Sequence, residues 1–409
     1  MIVFAIGLPQ IGLIAGLAGV DSGMLTLLVT LCALIAALIG MTRGIPRVGG
    51  GAVLAWVAAT LIIMLGLIVG LANLPTLQVM QGLRILALPL LIGIGGFALA
   101  ESDLRIVMRV LSLVIVGSAI AATIEVSRGV DYLIDAGLTY GTTVRTYEGE
   151  TLRAPGLALT NYDLGSFAGV FTALCLLWWI RNEQSKLGRV WAVFASAAGI
   201  ACLFLSVYRT GLILLVVALA LALIAMLYKR PALAILAGAG ILGIYQLVGR
   251  LGFDNAESLT SRQETWGQLL EADSGFFGSG IGAAGAASGG TASVARIVTD
   301  NYFLSIWVQF GVPGLVLILL LLIWGVNVAW RSLRSADMYC GLVFCAALVA
   351  CLFVEFWEYS SAMGFALLVY SVVHRCHREV ELRSRSLANT DKLKIETENT
   401  TTRPRRRRR

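Results

Sequence analysis

Long apolar runs separated by short polar connections organise this chain. A helix needs about 20 apolar residues to cross the hydrocarbon core of a bilayer. Windows of that length fall at roughly 2–20, 23–42, 50–72, 77–100, 106–126, 158–180, 190–207, 210–228, 232–250, 302–329, 338–355 and 359–375. The runs are long and unbroken, whereas a barrel strand shows short segments of alternating polarity. Each run therefore predicts a helix that satisfies its own backbone hydrogen bonds. The first lacks a basic leading region and a small-residue cleavage site, so it is read as a retained span. The first hairpin is broken only by Gly19-Val20-Asp21-Ser22.

Basic connections alternate with the runs: Arg43–Arg47, Arg105–Arg109, Arg181–Arg189, Lys229–Arg230, Arg331–Arg334 and the tail. A pair of spans separates each from the next, which puts all of them on one face under the positive-inside rule. The expectation is an all-α polytopic membrane protein of about twelve spans with both termini cytoplasmic. Residues 1–375 form its transmembrane domain and residues 376–409 a basic, disordered cytoplasmic tail.

Two larger loops then face outward, at about 127–157 and 251–301. The first holds Asp131, Asp135, Arg145, Glu148, Glu150 and Arg153 with three tyrosines. In the second, Ser261 and Glu264 have the spacing of a capping box, and Trp266, Leu269 and Leu270 follow at helical spacing. That predicts a short amphipathic helix along the membrane surface. Gly278 to Ser293 is nearly all Gly, Ala and Ser, and reads as a mobile flap or linker.

Composition sharpens this picture. Of 409 residues 58% are hydrophobic and only 13% charged, against about 25% charged in a soluble domain. Six of seven cysteines lie in apolar runs and Cys376 just after one, so neither a disulfide framework nor a metal site is expected. Both histidines, His374 and His377, sit at the cytoplasmic end of the last run, and no cofactor is indicated. The net charge of +7 owes much to the terminal arginine run. Its expected partner is anionic lipid headgroups rather than nucleic acid.

The placement of arginines carries the candidate chemistry. Lys186, Lys229, Lys392 and Lys394 all lie in segments read as cytoplasmic, whereas the outer side carries only arginine as its basic residue. A guanidinium presents a planar fork that matches phosphate oxygens, and an ammonium does not. Arg84 lies well inside a span with no acidic residue there to neutralise it, at an insertion cost of about 2.5–3.5 kcal/mol. Snorkelling to the nearer face is its bland explanation. Ser206-Val-Tyr-Arg209-Thr-Gly211 turns between two runs with almost no loop. It sets Arg209 at the lipid–water boundary, where an interfacial anchor is the competing reading. Arg262 falls in the first turn of the capped loop helix, where backbone N–H groups also favour an anion. Gly280-Ile-Gly282-Ala-Ala-Gly285 spells a dinucleotide fingerprint, but an Ala/Gly tract outside a βαβ unit produces it by chance.

Several of these pieces occur in the order seen in the O-antigen ligase and O-antigen polymerase superfamily of bacterial membrane glycosyltransferases. Arg153-Ala-Pro-Gly156 followed by Thr160-Asn161-Tyr-Asp-Leu-Gly165 resembles the family's entry to a central span. Ser206-Val-Tyr-Arg209-Thr-Gly211 is similar to its Ser-x-Ser-Arg-x-Gly turn, with Tyr208 in place of the second serine. Ser261-Arg262 with Trp266, then Gly278-Ser-Gly280-Ile-Gly282, resembles its large outer loop. Asp300-Asn301-Tyr302-Phe-Leu running into Gly311-Val-Pro-Gly314 is similar to its His-Asn-x-x-Leu entry, with Asp300 at the histidine position. That departure favours a polymerase over a ligase.

The resemblance implies a GT-C-like fold in the bacterial inner membrane with its active site on the outer face. It implies transfer of an oligosaccharide from undecaprenyl diphosphate to a sugar hydroxyl, without a metal. Asp300, Arg209 and Arg262 would be catalytic, with Arg84, Arg153, Asn161, Asn301 and Tyr302 binding substrate. Fixed cations stabilise the departing pyrophosphate, and a carboxylate accepts the hydroxyl proton. The implied partners are the lipid-linked donor, a glycan acceptor, a chain-length regulator and a flippase. Ligation to lipid A-core is the alternative within the class. A lipid-linked-oligosaccharide flippase is the alternative outside it, and would show internal repeats and several midplane charges; the sequence shows no repeat and one clear intramembrane charge, Arg84.

Overall fold

A computed structural model describes residues 1–12, 15, 19–44, 50–129, 131, 147–148, 151–227, 266–267, 275–290, 300–335 and 338–401. Among the described residues the protein is all-α apart from one small hairpin. Its helices are α1 (Ile2–Gly7), α2 (Ser22–Gly44), α3 (Gly50–Asn73), α4 (Thr76–Gly95), α5 (Glu101–Arg128), α6 (Asn161–Leu174), α7 (Lys186–Leu205), α8 (Arg209–Leu227), α9 (Tyr302–Arg334), α10 (Cys340–Ala350) and α11 (Ser360–Thr401). Strands β1 (Tyr147–Glu148) and β2 (Thr151–Leu152) pair antiparallel within the loop after α5. A π-turn at Cys175–Trp179 extends α6 to Asn182.

Eight helices among the described residues are long and apolar enough to cross a membrane, which is compatible with a multi-pass membrane protein. Each coincides with a run expected from sequence. The run at 2–20 is represented by α1 and a 3-10 turn ending at Ile11, and α10 is shorter than a span. The run at 232–250 lies outside the described residues. Asp21 Oδ2 accepts from Gly23 and Met24 N–H and so starts α2, as its position in the first hairpin suggests.

Burial divides the bundle. The apolar window of α6 is 83% buried against 11% for α3, so α6 is the core helix and α3 a peripheral one. Phe167 and Phe171 of α6 pack on Phe365 of α11, with Trp178 and Trp179 beneath them. The outward faces carry exposed Leu27, Leu61, Ile68 and Leu319, an apolar exterior that suits lipid rather than water.

Two segments differ from expectation. The chain beyond residue 375 does not leave the bundle as a disordered tail: α11 continues through Thr401, with Arg375 Nε bonded to Glu379 Oε1 one turn on. Opposite charges at i,i+4 and a sequence free of Gly and Pro sustain that helix.

The Gly-rich stretch, expected as a mobile flap, is inserted into the bundle over 278–290. Ile281 is fully buried, and Ala283, Ala284, Ala287 and Ser288 nearly so. Ile281 N donates to Gly66 O of α3, and Gln78 Nε2 of α4 donates to Gly282 O. Helix α9 breaks to receive it: Gly311 has φ 58° and Pro313 follows. Carbonyls freed near that break accept from Ser279 and Gly280 N–H, while Val312 N donates to Phe276 O. Irregular backbone at membrane depth is tolerated only where protein satisfies it. Glycine is required by close approach here, since a Cβ on Gly82 would meet Gly282 Cα at 2.7 Å. Composition without side chains signalled flexibility, whereas the backbone uses it for contact.

Candidate functional site

The end of the bundle opposite Arg109, Glu183 and Arg331 gathers most of the described candidate residues, in two corners joined by one connection. The first corner forms where the segment after β2 meets the turn between α7 and α8. Ala154 N donates to Leu205 O, and Gly156 N to the buried Glu125 Oε2 at 2.9 Å. Thr160 caps α6: its hydroxyl accepts from Asp163 N and donates to Asp163 Oδ2 at 2.8 Å. Asn161 is buried, and its Nδ2 donates to Ser206 O at 3.2 Å. Its amide nitrogen thus braces the turn.

The turn itself is strained. Val207 has φ 50°, a left-handed conformation that is an outlier for a β-branched residue. Strain of this kind persists only where its surroundings hold it, and here Asn161 and the Ala154–Leu205 bond do so. The result is to place Arg209 as the first residue of α8, half-buried, with Arg153 in the facing segment. The Arg153 guanidinium carbon lies 5.7 Å from the Tyr162 ring centre. Tyr162, Tyr208 and Tyr359 form an edge-to-face series with centroids 5.5 and 5.9 Å apart. Burial pushes the phenols of Tyr208 and Tyr359 up, so both stay protonated and able to donate.

The second corner is the start of α9. Asn301 Oδ1 accepts from Phe303 and Leu304 N–H at 3.0 and 3.2 Å, so Asn301 is the cap. Asp300, the residue otherwise suited to capping, is displaced from that role and held at φ 45°. Tyr302 N donates to Cys351 O, and its ring stacks on Trp357 at 5.7 Å and 8°. Asn301 and Tyr302, both read as substrate-binding, therefore have structural duties at this helix start.

Residues 351–359 join the corners, with Trp357 on Tyr302 and Tyr359 on Tyr208. Trp357 Nε1 also donates to Leu86 O of α4, and Glu358 Oε2 accepts from Ala286 N of the inserted segment. Gly82, Leu86, Tyr302, Gln309 and Glu358 enclose a cavity of about 10 Å³, room for a single water.

Of this connection the sequence suggests only Glu355, next in line as a base should Asp300 not serve. The connection's signal was the string Glu355-Phe-Trp-Glu-Tyr359 interrupting two apolar runs. Sequence reading also missed Asp163, a half-buried carboxylate close to Tyr208 and Tyr359. Arg84 is half-buried in α4 and makes no hydrogen bond or ion pair among the described residues; nothing there ties it to Arg209. Arg262, Ser261, Glu264 and Glu257 lie outside the described residues.

Chemically, the site offers guanidinium groups for an anion, carboxylates for a proton and aromatic rings for an apolar or sugar face. No protein-family model, curated protein or solved structure matches this chain.

Proposed function

We propose that this protein is a membrane glycosyltransferase that moves an oligosaccharide from a polyprenyl diphosphate to a sugar hydroxyl, acting as a repeat-unit polymerase. The observation that carries the reading is the first corner: Arg209 fixed by a strained turn, Arg153 in the segment facing it, and a half-buried carboxylate, Asp163, near protonated tyrosines. In the reaction the acceptor oxygen attacks the anomeric carbon. The carbon–oxygen bond to phosphate breaks, and the pyrophosphate leaves with the electron pair. The hydroxyl proton passes to a carboxylate, Asp300 or Asp163. Arg153 and Arg209 would stabilise the charge that gathers on the leaving phosphate.

Transfer of oligosaccharide from undecaprenyl diphosphate to a glycan acceptor, followed in membranes, tests this. Arg209→Lys is expected to reduce transfer about as severely as Arg209→Ala, by roughly 100-fold or more if two phosphate hydrogen bonds are lost. Wild-type transfer by Arg209→Lys at normal expression would identify the residue as an interfacial anchor. In cells, loss of a polymerase leaves single repeat units transferred, whereas loss of a ligase strands polymer on its carrier.

A second reading has one observation in its favour. The broken helix α9 and the segment inserted beside it resemble the discontinuous helices of transporters. Movement of lipid-linked oligosaccharide across vesicles without formation of a glycosidic bond would establish that reading instead.

A further inference from the structure

A groove of about 730 Å³ runs along the outer surface of α5 and α7, near the end opposite the candidate site. Its floor and walls are Leu113, Leu187, Val190, Trp191 and Phe194, with Arg109 at the rim. These apolar residues are not core: Leu113, Leu187, Val190 and Phe194 are 62%, 81%, 66% and 53% exposed. Trp191 is held rigid, because its Nε1 donates to Ser112 Oγ at 2.7 Å. The groove is thus a preformed apolar slot at the place where two spans reach the membrane surface.

Its polar end is cationic. Arg109 is half-exposed and commits one Nη2 to Glu183. Arg105 stands one turn before it, on the same face of α5. The Arg105 Nε is buried without a hydrogen-bond partner among the described residues, and an unmet buried donor on a cation is costly. Arg181 lies just before the connection to α7 and Lys186 and Arg189 in the first turn of α7, a stretch in which Glu183 is the one acid. At the start of α5, Asp103 is occupied in capping Ala100 N.

We propose that this groove binds an anionic phospholipid, one acyl chain lying along Leu113, Val190, Trp191 and Phe194 and the phosphate held by Arg105 and Arg109. The slot supplies apolar contact for a chain, and Arg105, one turn from Arg109 on the same helix face, adds a second guanidinium beside its polar end. The surplus of cations favours a headgroup with net negative charge over a zwitterion that carries the same phosphate. This assignment is independent of the reaction proposed above.

Native mass spectrometry of the purified protein, offered phosphatidylglycerol or phosphatidylcholine of identical acyl chains, tests it. Phosphatidylglycerol is expected to be retained at least fivefold better. Arg105→Gln, which breaks no bond within the described protein, should lower that retention to the phosphatidylcholine level. Val190→Trp, at a lipid-facing position, should fill the slot and reduce retention of both lipids with unchanged thermal unfolding. Equal retention of the two lipids by the wild type, or an unchanged preference in Arg105→Gln, overturns the proposal. So does displacement of phosphatidylglycerol by an equal amount of polyprenyl monophosphate, which would make the occupant a substrate-type lipid.

Discussion

The two ends of the bundle are built on different principles. At the basic end the starts of α5 and α7 and the end of α9 have conventional geometry, and a single buried carboxylate organises the region. Glu183 accepts from Arg109 Nη2 and Trp179 Nε1, while its backbone carbonyl accepts from Arg189 Nε and Ser185 caps α7. At the other end the helices are terminated by residues in left-handed conformations, Val207 and Asp300, and α9 is broken to admit an extra segment. The basic end combines local caps with bonds between helices, such as Arg109 to Glu183 and Trp191 to Ser112, and needs no left-handed residue to do so among those described. The other uses distant partners, such as Asn161 on Ser206, Gln78 on Gly282 and Glu358 on Ala286, to hold geometry the chain disfavours. Strain concentrated beside arginines, carboxylates and aromatics is the ground on which the proposed function is placed at the second end.

The comparison is most exposed at the inserted segment. Gly282 has φ 95°, and a Cβ there would lie 2.7 Å from Gln78 O. Gly282→Val therefore combines a left-handed conformation costing about 1–2 kcal/mol with overpacking of about 1–3 kcal/mol. A loss of roughly 3 kcal/mol is expected, read as a lower unfolding temperature in detergent. A valine tolerated without change would mean the segment is not packed between α3 and α4, and the contrast between the ends would collapse.

The basic end gives the next effect. Burial pushes the Glu183 carboxyl up, but hydrogen bonds from Trp179, Arg109 and Ser185 N–H, with the Arg109 charge, outweigh it and hold the group below the usual carboxylate range. A depressed folded value means the contribution is complete above the unfolded value of about 4.3 and is lost as pH falls through the folded one. Because Arg109 is half-exposed, the pair is discounted for solvent screening. Glu183→Gln is then expected to cost about 1–2 kcal/mol at neutral pH and to flatten the acid limb of the unfolding temperature below about pH 4. An unchanged acid limb would assign that pH dependence to other carboxylates.

How far the sequence discloses each end follows from the same contrast. The spans and the turn at 206–209 are legible because hydropathy and a short polar break are local properties. The inserted segment is not, since Gly278–Gly290 has the composition of a linker and only the facing glycines of α3 and α4, Gly66, Gly70 and Gly82, show that backbone must pack there. The cap of α9 is not legible either: Asp300 suits the role chemically, and only the hydrogen bonds assign it to Asn301. The aromatic bridge from Tyr302 through Trp357 and Tyr359 to Tyr208 joins residues some 150 positions apart in the chain. No periodicity predicts such a contact.

The smallest effect is the most selective. Asp300 is left-handed, and its neighbour Asn301 does the capping, so the conformation is not explained by helix initiation. Asparagine tolerates left-handed backbone nearly as well as aspartate. Asp300→Asn should therefore leave stability within about 0.5 kcal/mol. Asp300→Gly removes a left-handed penalty of roughly 1 kcal/mol together with the side chain's own interactions, so its stability should stay within about 1 kcal/mol of the wild type. If the carboxylate takes the acceptor's proton, both variants lose transfer while keeping near-normal stability, a separation of fold from chemistry expected of a strained functional residue. If both variants form full-length polymer, Asp300 is a backbone device and Asp163, near the tyrosines of the first corner, becomes the carboxylate to replace next.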